Sequence, residues 1–66
     1  MGFRIKECRE AANMTQEQLS AASGVSRTII SGLENGTTRH TTTKTLLNIA
    51  RALGVTVDQI FFDESV

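Results

Sequence analysis

Apolar residues recur along the chain at spacings of three and four, the period of an α-helix, rather than at the alternation of a strand. Phe3, Ile5, Cys8 and Ala12 form one stripe and predict a first helix, which Asn13 can end in a left-handed conformation. Thr15 is a good N-cap for a second helix. Gln18, three residues on, completes a T-x-x-Q capping box, and Met14 just before the cap can staple onto Leu19. This helix runs to about residue 22, and Ser23-Gly24 makes a tight turn because glycine accepts positive φ without strain. Ser26 caps a third helix with Ile30 and Leu33 on its inner stripe, Ile29 beside them and Asn35-Gly36 as its end. A polar stretch covers 37–42. Thr42 or Thr43 then caps a fourth helix carrying Leu46, Leu47, Ile49, Ala50 and Leu53, stopped by Gly54. Thr56 can cap a short fifth helix with Val57, Ile60 and Phe61. Alternation is confined to 55–57, too short for a sheet. The predicted fold is all-α, a compact five-helix bundle.

With 66 residues the chain is expected to form one domain, 1–66. A domain of this size buries roughly 60% of the surface its unfolded chain exposes. That thin core leaves little room for a deep substrate pocket. The single cysteine, Cys8, allows no internal disulfide, which fits a reducing compartment. No apolar run approaches the length of a membrane span and no signal-peptide pattern opens the chain, so a cytoplasmic location is expected.

Net charge is zero, but it is unevenly spread. Over 27–51, Arg27, Arg39, Lys44 and Arg51 face only Glu34, a balance of +3, whereas Asp58, Asp63 and Glu64 give the last fifteen residues −3. A basic middle and an acidic tail suggest two ends with different tasks. Ordinary scatter of surface charge gives the same figures.

The second helix, the glycine turn and the third helix make one unit, about 15–34, of the helix-turn-helix plan. In that plan the first helix lies across the groove with its N-terminus toward a phosphate, and the second enters the major groove. The blocks Ile5-Lys6 with Arg9, Met14 to Leu19, Gly24 to Arg27, Ile30-Ser31, Leu33 to Gly36 and Thr45 to Val55 follow in order. On these blocks the chain resembles the Cro/CI-type, or XRE-type, helix-turn-helix family. The resemblance implies a lambda-repressor-like DNA-binding domain that reads a double-stranded operator as a two-fold dimer, with a transcriptional regulator acting as a repressor as the expectation it sets. By position it implies that Gln16 anchors a phosphate at the start of the second helix. Arg27, Thr28, Ser31 and Gly32 fall where relatives meet base edges or adjacent backbone, with Ser26 at the cap. Asn35 and the loop after it, including Arg39, look like phosphate contacts. Three positions depart from the family pattern. Ser20 replaces a usual alanine in the helix crossing, the 37–42 loop lacks a common proline, and Gly32 stands where many members carry a long polar side chain.

Bland readings stand beside these. Thr28 and Ser31 serve equally well as solvated polar residues, and Gly32, poor in a helix by roughly 1 kcal/mol against alanine, reflects either close approach to the DNA backbone or tolerance. His40 has no second histidine or nearby cysteine, so no metal site is expected; it is read as an exposed loop residue, with a phosphate contact as the alternative. Cys8 is read as core, and Thr41 to Thr43 as cap providers. No cofactor and no small-molecule ligand are expected. No nucleophile is paired with a base, which sets an enzyme aside. A protein-interaction module that keeps the fold without DNA contact draws on the zero net charge and Gly32; Gln16, Arg27, Asn35 and Arg39 weigh against it. A homodimer is expected through the tail, 60–66, where Ile60, Phe61 and Phe62 form an apolar cluster.

Overall fold

The computed structural model describes residues 3–38 and 41–60. Five helices follow one another: α1 (Ile5–Ala11), α2 (Gln16–Ser23), α3 (Arg27–Asn35), α4 (Thr43–Leu53) and α5 (Val57–Ile60). Their ends sit where local chemistry puts them. Asn13 has φ 58°, so the chain leaves α1 through a left-handed residue whose short amide side chain tolerates it. The Thr15 hydroxyl accepts from the Gln18 amide at 3.0 Å, and the Gln18 side chain accepts from the Thr15 amide at 2.8 Å. Ser26 caps α3 by accepting from Ile29, and Thr42, not Thr43, caps α4 by accepting from Thr45. A second reciprocal cap joins Thr56 and Gln59 at α5.

The inner stripes of these helices meet in one core. Ile5, Leu19, Ile30, Leu33, Ile49 and Ile60 are fully buried, and Val25, Leu46, Ala50 and Leu53 complete the cluster. Burying each of the larger aliphatic side chains is worth about 1.5–3 kcal/mol. α2 packs on both α3 and α4, so the helix-turn-helix unit is held from behind by the fourth helix. The Arg4 amide donates to the Ile60 carbonyl at 2.7 Å and ties the start of α1 to the end of α5. Cys8 lies at the core's edge, half-buried, with its thiol 3.9 Å from the Gln59 carbonyl.

Leu47, also carried by α4, is 38% exposed. One apolar expectation changes. Ile60, expected at a dimer surface, is wholly buried in the chain's own core, because α5 turns it inward beneath α1 and α4; it has no surface left for a partner. Phe61 and Phe62, the other members of that cluster, lie outside the described residues, as do Arg39 and His40.

Candidate nucleic-acid interface

α2 and α3 are joined by a turn whose geometry is fixed from both sides. Gly24 has φ 72°, which a side chain would strain. The next residue, Val25, is buried, and two serines of α2 take its backbone groups. Ser20 Oγ donates to the Val25 carbonyl at 2.7 Å, and Ser23 Oγ accepts from the Val25 amide at 3.2 Å. The serine at position 20 therefore does more than stay small in the helix crossing. It holds the turn from which α3 departs.

Behind α3, three helices meet at a buried carboxylate. Glu34, with 2% of its side chain exposed, accepts from Arg9 Nε at 2.8 Å and Nη2 at 3.3 Å, and from Gln16 Nε2 at 3.0 Å. Arg9 also donates from Nη1 to the Met14 carbonyl at 2.8 Å. The hydrogen bond to Glu34, with the attraction of that carboxylate, holds the Arg9 pKa above its ordinary value. Both charges are thus consumed internally, and α1, α2 and α3 are pinned together where Gln16 begins α2. Sequence alone did not assign this pair. The only signal was two opposite charges flanking inward-facing positions of separate helices.

In front of α3 lies an open groove of about 550 Å³. It is lined by Gln16 and Arg27, the first residues of α2 and α3, by Thr28, Ser31 and Gly32 of α3, and by Thr37 and Thr38 of the loop that follows. Five of the residues singled out from the sequence are therefore brought to one surface. Arg27 and Thr28 are exposed, and Ser31 is half-buried. The Gln16 amide nitrogen donates one hydrogen to Glu34, and its second has no partner among the described residues. Ser26 caps α3 from just outside the groove. Asn35 donates to Ser31 Oγ at 3.3 Å from the last turn of α3. Thr37 and Thr38 were covered in the sequence only by the loop as a whole.

Gly32 also has a neighbour inside the chain that leaves no room for a side chain. A Cβ there would overlap Thr38 Oγ1 and stand 3.0 Å from Thr38 Cβ. The loop after α3 folds back over it, with the Thr38 amide donating to the Gly32 carbonyl at 3.0 Å.

Among the described residues no group of three His, Cys, Asp or Glu side chains could hold a metal ion, and no helix is long and apolar enough to cross a membrane.

Comparison with known proteins agrees with this arrangement. The model of the Helix-turn-helix family HTH_3 matches residues 5–60. An uncharacterized HTH-type transcriptional regulator of Archaeoglobus fulgidus is 43% identical over 65 residues, covering 97% of this chain and 90% of that protein. The crystal structure of the restriction-modification controller protein C.AhdI from Aeromonas hydrophila superposes with a TM-score of 0.81 at 33% identity, over 88% of this chain and 86% of that one. The family is one of regulators and not of enzymes. Helix-turn-helix elements in the expected order, a polar groove across α3 and these likenesses lead to one assignment: the chain belongs to the XRE-type helix-turn-helix family of DNA-binding transcriptional regulators.

Proposed function

We propose that this protein acts as a homodimeric repressor that reads a two-fold operator in double-stranded DNA, with α3 of each copy in the major groove. The observation that carries this reading is the shared surface of α2 and α3. Both helices begin at one polar groove, with Gln16 and Arg27 at their first positions. Helix N-termini carry unpaired N–H groups and partial positive charge, which suits phosphate. Gln16 anchors a phosphate there with its remaining N–H, oriented by Glu34. Arg27 contacts guanine with two parallel hydrogen bonds, and Thr28 and Ser31 touch neighbouring base edges. Ser26, Asn35 and Arg39 contact the sugar-phosphate backbone on either side and set the register. Phe61 and Phe62 supply the apolar contact between copies. Bound across a promoter in the cytoplasm, such a dimer keeps polymerase off.

A salt series separates this reading from a protein-interaction module of the same fold. Fluorescence anisotropy on mixed-sequence duplex should show affinity falling steeply with salt, by about 0.9 in log–log slope per phosphate contacted. An affinity for duplex DNA that stays flat with salt would remove the DNA reading.

A further inference from the structure

Thr28 and Gly32 are four residues apart on α3 and stand one above the other on the groove side. That separation is about 6 Å along the helix, close to two base-pair steps of 3.4 Å. A side chain at 32 would therefore continue the row that Thr28 begins, yet the position is a glycine, a poor helix former. Its side-chain space is not empty. Thr38 Oγ1 lies where the Cβ would be, and Thr37 Oγ1 lies 3.4 Å from the same point. The loop is held there by backbone. Gly36, at φ 81°, reverses the chain, the Thr38 amide returns to the Gly32 carbonyl, and Thr37 Oγ1 donates to that carbonyl at 3.4 Å. Thr38 is half-buried and lines the groove, and among the described residues its hydroxyl has no hydrogen-bond partner.

We propose that Thr38, mounted on Gly32, is a specificity-determining residue that presents its hydroxyl to a base edge at the place a residue-32 side chain would otherwise reach. The inference rests on the DNA reading proposed above. Glycine at 32 and threonine at 38 then act as one reading position split between helix and loop. A hydroxyl can donate or accept, so it suits either kind of base edge, and the flanking contacts of Thr28 and Ser31 fix which one it meets. A phosphate contact from the same atom would carry no sequence information.

The test is selection from a randomised duplex pool with the full chain and its Thr38→Val and Thr38→Ser variants, followed by competition binding. Valine keeps the branched shape over Gly32 and removes the hydroxyl; serine keeps the hydroxyl. The expected result is that Thr38→Val loses about three- to tenfold of its preference at one base pair per half-site, the range one hydrogen bond supplies. Affinity for mixed-sequence duplex should stay at the parent value, and Thr38→Ser should retain the parent preference. Equal weakening on every sequence would make Thr38 a phosphate contact and overturn the proposal, as would a Thr38→Val variant that selects the parent motif unchanged. A parent chain that selects no duplex would fail at the earlier step and take this inference with it.

Discussion

Arg27 and Arg9 show how two arginines of one small chain are given opposite tasks. Arg9 is bonded to Glu34 on two nitrogens and has its charge neutralised inside the helix junction. Arg27 projects exposed from the first turn of α3 into the groove. Arg27→Ala is expected to weaken binding to a selected operator by about 1–3 kcal/mol and to relax one base position. Competition binding on single-base operator variants checks it, and an unchanged ranking of those variants would take Arg27 out of the reading set. Gly32 illustrates what sequence could and could not supply at this scale. Its cost to the helix was visible because propensity is local. Its contact with Thr38 was not, because the loop that brings Thr38 back follows a path only the folded chain defines. Glu34 was hidden for the same reason, since Arg9 and Gln16 reach it from separate helices.

The helices themselves were legible almost to their ends, because caps are written within four residues. Thr15 with Gln18, Ser26, and the glycines at 24, 36 and 54 stand at observed boundaries. The choice between Thr42 and Thr43 was open in the sequence, as both hydroxyls have a suitable amide three residues on. Between elements, the Ser20–Val25 bond is the contact the family pattern does not supply. Ser20→Ala removes the hydroxyl that donates to the carbonyl of the buried turn residue Val25, and is expected to lower stability by about 1 kcal/mol. Urea denaturation reads this as a lower midpoint at constant slope. A midpoint equal to the parent's would mean that water satisfies the carbonyl and the serine is incidental.

At the level of the whole molecule, the DNA reading requires that two copies hold their recognition helices about one turn of DNA apart, roughly 34 Å. A contact outside the recognition surface is needed for this, proposed above to lie in the tail. The sequence offered three apolar residues of the tail for it; the structure takes Ile60 into the core, and Phe61 and Phe62 lie outside the described residues. Direction is what the pattern lacked, because consecutive apolar residues at a helix end do not reveal which one turns inward. The proposed homodimer is expected to dissociate on Phe62→Ser. Sedimentation equilibrium at micromolar concentration tests parent and variant, and a parent monomeric throughout, or a variant that associates equally well, would sink the tail as the interface. The Arg9–Glu34 pair has a last consequence, for the order of assembly. α2, the turn and α3 can pair early, since their contacts are close in sequence. The carboxylate finds its guanidinium only once α1 has docked, across 25 intervening steps of chain. A pair formed that late is expected to slow unfolding more than it speeds folding, so Glu34→Gln should raise the unfolding rate and leave the folding rate near the parent's in stopped-flow kinetics.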